Sequence, residues 1–204
     1  MKELFIDIET APQHDSIEGY SPTMRAKLEQ KYPDDPYGRA GLHAEYGKIV
    51  CISVGYISVN EIHLKSFTGE EQTILEDFAA MAVNSFKYVG HNILDFDLPF
   101  IQRRMIINGI KIPQGIQTAG KKPWDLDGMI GDTMVMWSGT QWKYRVSLNV
   151  LCELLGVESP KSDMDGSKVG EAFYRGEIDR IAKYCEADVI ATSAVYQILK
   201  HKGM

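Results

Sequence analysis

The chain has 204 residues, of which 44% are hydrophobic and 25% are charged, a composition typical of a soluble globular domain with a sizeable core. Its net charge of −6 disfavours proteins that hold nucleic acid with a broad basic surface. No apolar run approaches the roughly 18 residues that a membrane-spanning helix needs, so an integral membrane protein is excluded.

The amino-terminal apolar run, residues 2–9, predicts a strand that carries two acids. Asp7 and Glu9 are two positions apart and therefore point to the same face, whereas Leu4, Ile6 and Ile8 point to the other. Two buried acids on one face raise each other's pKa, and a divalent cation, which prefers carboxylate oxygens, would compensate. On this stretch alone, a strand that ends near Asp7 with both acids in water is the favoured interpretation.

Residues 11–47 predict an irregular insertion loop between two strands, because hydrophobic periodicity disappears and prolines recur. Within it, Ser21 and Pro22 predict the start of a short helix over 23–32. The loop carries four tyrosines that either stack on bases or pin the loop: Tyr20, Tyr32, Tyr37 and Tyr46.

The rest of the chain predicts one mixed sheet with helices packed on its faces, in a single domain over 1–204. Strands are expected over 48–59, 62–67 and 87–89, and a strand-to-helix junction within 129–137. Helices are expected over 71–83, 97–108, 147–155, 167–174 and 178–201.

A second acidic segment follows the strand over 87–89. It carries Asn92 in a turn and then Asp95 and Asp97 at the start of a helix. An aspartate at a helix start is usually only a cap, but two that flank a phenylalanine cannot both be the cap. We expect Asp95 to cap the helix and Asp97 to project into a site.

A third acid lies in the last helix. Tyr184 and Asp188 are four positions apart and so lie one turn above each other, beside the apolar stripe of that helix. A half-buried aspartate bonded to a basic residue or a tyrosine is the favoured interpretation of this pair taken alone.

Together these segments resemble the three motifs of the DEDD 3′–5′ exonucleases. The motifs are D-x-E from Asp7 to Glu9, N-x-x-x-F-D from Asn92 to Asp97, and Y-x-x-x-D from Tyr184 to Asp188. The tyrosine is similar to that of the tyrosine-bearing (DEDDy) branch. The surrounding segments, GHNILDFDLPF, SLNVLCELLG and AKYCEADV, resemble stand-alone proteins similar to the proofreading exonuclease domain of family-B DNA polymerases.

The resemblance implies an α/β fold of the ribonuclease H type, with about five strands in an antiparallel meander plus parallel strands and helices on both faces. It also implies that Asp7, Glu9, Asp97 and Asp188 bind two Mg²⁺ or Mn²⁺ ions, with Asp7 bridging them. One ion would activate a water and the other would stabilise the leaving 3′ oxygen. Glu9 and Tyr184 would orient the attacking water.

The implied substrate is the 3′ end of a single-stranded nucleic acid, with DNA favoured over RNA. Thr10, Asn92 and Phe96 would contact the terminal nucleotides. The alternatives are an exoribonuclease and a non-catalytic module of the same fold that binds nucleic acid or a polymerase. Because the 204 residues contain no polymerase domain, proofreading would need a polymerase or repair partner acting in trans. The sequence does not indicate an oligomeric state.

Two further features bear on compartment and binding. Three scattered cysteines without a C-x-x-C pair, and a first apolar stretch too interrupted for a signal peptide, predict a cytoplasmic enzyme without disulfides or a zinc cluster. Basic residues interleaved with aromatics either follow the nucleic-acid backbone or form a solvated surface, and both interpretations stay open. They are Arg103, Arg104, Lys111, Lys121, Lys122 and the run from Trp142 to Arg145.

Overall fold

A computed structural model describes residues 1–59, 61–83, 86–141, 143–159 and 164–204. Its centre is a five-stranded sheet with the order β3-β2-β1-β4-β5. The strands are β1 (Lys2–Pro12), β2 (Gly47–Ser58), β3 (Glu61–Thr68), β4 (Phe86–Gly90) and β5 (Ile130–Asp132). The first three form an antiparallel meander, and β4 and β5 add in parallel. This mixed sheet confirms the predicted α/β, ribonuclease H-like fold.

The helices follow the predicted order. They are α1 (Pro22–Lys31), α2 (Pro36–Ala40), α3 (Glu71–Met81), α4 (Asp97–Ile107), α5 (Pro123–Leu126), α6 (Thr133–Ser138), α7 (Leu148–Leu155), α8 (Val169–Tyr174) and α9 (Ile178–His201). The junction within 129–137 is β5 followed directly by α6. None of the helices in the described part of the chain has both the length and the apolar character that a membrane span requires.

Both faces of the sheet are covered, which follows from the alternation of side chains along β1. Leu4 and Ile6 pack into the main core with residues of α3 and α4. Phe5 points the other way and packs against Val189 and Tyr196 of α9. Asp7 and Glu9 share the parity of Phe5, so they lie on the face that α9 covers.

The first strand is longer than predicted. Beyond Glu9 it continues to Pro12, because Thr10, Ala11 and Pro12 still pair with β2 after an irregularity in register between Glu9 and Thr10. The expectation that the strand stops near Asp7 and leaves its acids in water is therefore wrong. A bulge of this kind re-aims side chains locally and is frequent beside functional sites.

The segment between β1 and β2 has a small core of its own, made of Tyr20, Leu28 and Ala40. Tyrosine hydroxyls fix its ends. The hydroxyl of Tyr20 donates to the Tyr46 carbonyl at 2.5 Å and accepts from the Gln13 amide at 3.0 Å. Of the two roles left open for these tyrosines, the described contacts support pinning of the loop.

A buried arginine ties this insertion to the rest of the protein. The Arg104 guanidinium donates to both carboxylate oxygens of Glu71, at 2.5 and 2.8 Å, and to the Ala44 carbonyl at 2.9 Å. It also reaches the side chain of Gln13 at 3.0 Å. Only 6% of the Arg104 side chain is exposed. Its proposed contact with a nucleic-acid backbone is therefore wrong.

Candidate active site

Asp7 and Glu9 lie where β1 extends past its parallel neighbour. The pairing of β1 with β4 ends at Phe5 and Val89, so the strand is open on that side from Asp7 onward. Oxygens of Asp7 and Glu9 and the Cys185 sulfur all lie within 4.8 Å of one another. The two acids therefore face one small space under α9.

Asp97 enters this space from the start of α4. It is the first residue of the helix and is only 3% exposed. Burial is the main cause that raises its pKa to about 7, and the nearby charges of Asp132 and Asp188 add to it. Hydrogen bonds from its own backbone amide and that of Ile8 oppose the increase.

Asp95 does not cap α4. The residue that precedes the helix is Phe96, which makes no side-chain capping bond. Asp95 is instead exposed and ion-paired with Arg145. The capping prediction is wrong because the β4–α4 loop turns through Asn92, at a φ of 63°, and carries Asp95 outward.

α9 supplies Asp188 and Tyr184. The Tyr184 hydroxyl donates to the Asp188 carboxylate, and this bond partly offsets the burial that raises the pKa of Asp188 to about 6. The pKa of Tyr184 is raised, first by burial and then by the charges of Asp188, Glu9 and Asp7. The phenol therefore keeps its proton at neutral pH and acts as a donor.

Burial destabilises the charged forms of all four carboxylates, and the charges of neighbouring carboxylates add to this for Asp7, Glu9 and Asp97. Burial and then the charges of Glu9, Asp97 and Asp188 raise the pKa of Asp7 far above its usual range. Burial and then Asp188 do the same for Glu9. In the described part of the chain, no basic side chain is among the main influences on these four groups. This arrangement fits a divalent cation, because hard cations are bound by oxygens and offset clustered negative charge.

Cys185 is a neighbour that the sequence gave no reason to select. Its thiol donates to the backbone carbonyl of Asp7 at 3.3 Å and to the side-chain oxygen at 3.4 Å. Burial raises the pKa of this thiol, and its hydrogen bond with Cys51 raises it further. A thiol that stays protonated is a poor metal ligand, so Cys185 supports Asp7 as a donor.

Asp132 is a second residue that sequence reasoning missed. It ends β5, is 5% exposed, and accepts four backbone N–H bonds. Two come from Asn92 and Leu94 at 3.0 and 3.1 Å, and two from Met134 and Val135 at 2.9 and 3.3 Å. It thus holds the left-handed turn that leads to Asp97. Its position as N-cap of a short helix after a strand was the available signal.

We expect Asp132→Ala to lower the free energy of unfolding by about 2–4 kcal/mol, because it leaves buried amides without acceptors. Asp132→Asn should cost less, since one carbonyl oxygen can still accept the bonds that cluster on Oδ1. Urea unfolding of the two variants measures this difference. Equal stability of wild type and Asp132→Ala would show that the carboxylate does not hold the loop.

The three residues predicted to contact substrate lie in different surroundings. Thr10 is half-buried and lines a cavity of about 420 Å³ between the insertion and α8. The side chain of Asn92 accepts a bond from Arg145 at 2.8 Å. Phe96 is half-buried against the main core, with its ring 5.6 Å from that of Phe100.

Three of the predicted basic residues lie in two contrasting environments. Lys121 and Arg145 line a second cavity, next to the β4–α4 loop, whereas Arg104 is buried in the ion pair with Glu71. Trp142, from the same predicted run as Arg145, lies outside the described residues.

Comparison with known families decides the relationship. A family described as a predicted 3′–5′ exonuclease related to the exonuclease domain of PolB matches residues 42–203. The chain belongs to this family. The match includes Asp97, Tyr184 and Asp188, whereas Asp7 and Glu9 precede it.

A curated relative is an uncharacterized protein of Methanocaldococcus jannaschii, 27% identical over 125 residues. The alignment covers 58% of this chain and 66% of the relative, so this chain spans just under two thirds of the archaeal protein's length. This similarity does not indicate an activity, because the relative is itself uncharacterized. The family match supports a nuclease role, and the acidic cluster offers the oxygen donors that a metal ion binds.

Proposed function

We propose that this protein is a metal-dependent 3′–5′ exonuclease that hydrolyses phosphodiester bonds at the 3′ end of single-stranded nucleic acid, with DNA favoured over RNA. The observation that carries the proposal is the convergence of four acids from β1, α4 and α9 into one buried cluster with raised pKa values. Residues 1–204 would act as one exonuclease domain, with 13–46 as its insertion.

In this proposal Asp7, Glu9, Asp97 and Asp188 would hold two divalent cations, Mg²⁺ or Mn²⁺. Such ions, when bound, supply an activated water and stabilise charge on the phosphoryl and leaving oxygens. The protein's own residues then orient the reactants. Glu9 would accept a hydrogen bond from the attacking water, and the Tyr184 hydroxyl would orient that water.

The proposed substrate roles of Thr10, Asn92 and Phe96 follow from their positions in the chain next to the acids of the cluster. Thr10 comes directly after Glu9, and Asn92 and Phe96 lead directly into Asp97. All three would contact the terminal nucleotides. A single-stranded 3′ end would suit such a site, because the last phosphodiester must be drawn away from its pairing partner before it reaches the carboxylates.

The direct test is incubation of 5′-labelled single-stranded DNA and RNA with Mn²⁺, with and without EDTA. Stepwise shortening from the 3′ end that requires metal is expected, and faster loss of DNA than RNA supports the substrate preference. Asp7→Ala should abolish shortening, whereas Asp77→Ala, which removes an exposed acid from α3, should not. Shortening that persists in Asp7→Ala would contradict the proposal, and binding without any hydrolysis would favour a non-catalytic module.

Tyr184→Phe is expected to slow hydrolysis by about ten- to a hundredfold, because it removes one oriented hydroxyl and leaves the carboxylates in place. The increase in melting temperature on addition of Mn²⁺ should be retained. Single-turnover rates and thermal unfolding with and without Mn²⁺ measure the two effects. Loss of the metal-dependent stabilisation would show that Tyr184 has been given the wrong role.

A further inference from the structure

We propose that the cavity beside the β4–α4 loop binds the nucleotide on the 5′ side of the scissile phosphate, with Arg145 contacting that nucleotide's own phosphate. This inference rests on the proposed exonuclease function and names a subsite for it. The argument has three parts: the rigidity of the cavity wall, the chemistry of its lining, and the positions of phosphates in a 3′ end.

The wall of the cavity includes Tyr144 and Arg145, which bond to their surroundings, as does Val146, the next residue in the chain. The Tyr144 carbonyl accepts from Ser138 at 2.9 Å, Arg145 donates to Asn92 at 2.8 Å, and the Val146 carbonyl lies 2.9 Å from the His91 ring nitrogen Nε2. The segment before α7 is therefore fixed onto the loop that leads to Asp97. A surface fixed in this way holds a ligand in a constant position relative to the carboxylates.

The lining combines an apolar floor with cations and an aromatic ring. Leu94, Met134 and Val135 form the floor, and around it stand Lys121, Tyr144, Arg145 and the acid Asp95. Val135 is 47% exposed and Tyr144 is 51% exposed. The volume is about 610 Å³, which is within the range of small-molecule sites. Bases that stack on aromatic and apolar groups, beside phosphates held by basic groups, are typical ligands of such surfaces.

The guanidinium of Arg145 is oriented by its contacts and can still bind a ligand. It contacts Asn92, the sulfur of Met134 and the carboxylate of Asp95. A guanidinium has five N–H donors, more than these three contacts use, and 53% of this side chain is exposed. Because the protein has a net charge of −6, the basic side chains of Lys121 and Arg145 offer a phosphodiester a local attraction, which the ion pair of Arg145 with Asp95 reduces but does not remove.

The side of the scissile bond follows from the chemistry of a 3′ end. The terminal nucleotide has no phosphate beyond the one that is cleaved. Every other phosphate of the strand lies on the 5′ side of that bond. A pocket with basic side chains that is separate from the four carboxylates can therefore hold a phosphate only from the 5′ side. We assign it to the nucleotide that directly precedes the scissile bond, because Leu94 and Asp95, which line the cavity, lie just before Asp97 in the chain.

Four variants test the assignment. Arg145→Gln removes the charge, Arg145→Lys keeps the charge without the planar fork, and Val135→Glu places an acid on the exposed floor. Arg25→Gln is the matched control, because it makes the same charge change at a half-exposed arginine of α1 that pairs with Glu29. All three positions are partly exposed, so the four variants should fold.

Two substrates separate binding from support of the loop. Single-stranded oligothymidylate fills the proposed subsite, whereas the p-nitrophenyl ester of thymidine 5′-monophosphate has no nucleotide on the 5′ side. Arg145→Gln should raise KM for the oligonucleotide about tenfold and leave KM and kcat for the ester unchanged. Val135→Glu should raise the same KM, and Arg145→Lys should have a smaller effect than Arg145→Gln.

Salt dependence gives a second readout. In EDTA, the slope of log Kd against log salt for the oligonucleotide should fall by about 0.7 in Arg145→Gln and stay unchanged in Arg25→Gln, because one phosphate contact is lost. An unchanged KM and slope in Arg145→Gln would overturn the subsite. An equal loss on both substrates would assign Arg145 to support of the loop only. If wild type hydrolyses neither substrate, the proposed function fails, and the salt series in EDTA still decides whether Arg145 contacts a phosphate of the strand.

Discussion

Asp97→Asn is expected to lower exonuclease activity by at least about a thousandfold, which corresponds to roughly 4 kcal/mol of transition-state stabilisation. The same change should raise the melting temperature of the metal-free protein. Asp97 is a nearly fully buried acid whose pKa is raised to about 7. An asparagine keeps an acceptor for the backbone amide of Ile8 but removes a charge that Asp7 and Asp188 oppose. Steady-state rates in Mn²⁺ and thermal unfolding in EDTA measure the two effects.

The opposite signs of these effects make the prediction specific. A substitution that damaged the fold would lower both activity and melting temperature, whereas removal of a metal ligand from a repulsive cluster lowers only activity. Asp77→Asn on the exposed side of α3 is the matched control and should change neither quantity. If Asp97→Asn retained most of the activity, Asp97 would not be a metal ligand.

The second large effect is a pH-dependent stability that divalent ions reverse. Without metal, the folded protein holds protons on Asp97 and Asp188 at pH values where the unfolded chain has released them. Stability from these groups is therefore complete below about pH 4 and is lost as the pH rises through about 6 to 7. The loss should amount to a few kcal/mol, on the order of the shift in the pKa of Asp97. Melting temperatures across this range in EDTA measure it.

Mg²⁺ or Mn²⁺ should restore stability most strongly at the upper end of that range, because protons no longer compete for the carboxylates. Comparison with Asp97→Asn isolates the site from other titrating groups, since the variant should show a flatter profile in EDTA. A melting temperature that rises between about pH 4 and 7 in EDTA, relative to the variant, would contradict the repulsive cluster. So would the absence of any shift with Mn²⁺.

Much of the architecture was predictable from local patterns. The apolar alternation of β1 assigned Asp7 and Glu9 to one face, and the four-residue spacing of Tyr184 and Asp188 assigned them to one side of α9. Both assignments depend only on the periodicity of a strand or a helix, which the chain cannot change. The order of strands and helices then indicated a mixed sheet. The resemblance to an exonuclease family could be recognised separately, from three short motifs.

Other features depended on contacts between distant segments. The continuation of β1 to Pro12 requires pairing with β2, some 35 residues away in the chain. The sequence could not indicate that Asp95 would pair with Arg145 instead of capping α4, since the two residues are 50 positions apart. The sequence likewise could not distinguish an exposed Arg104 from one that is buried in an ion pair with Glu71.

The sequence by itself therefore determined which residue types lie on which face of each element, because backbone periodicity is local. Only the tertiary structure decided what those faces meet. It brought Asp7 and Glu9 under α9 with Asp97 and Asp188, gave Asp132 its four amides, and placed Arg145 beside the loop that leads to Asp97. Long-range packing is responsible, because burial and electrostatic repulsion arise only when distant segments meet.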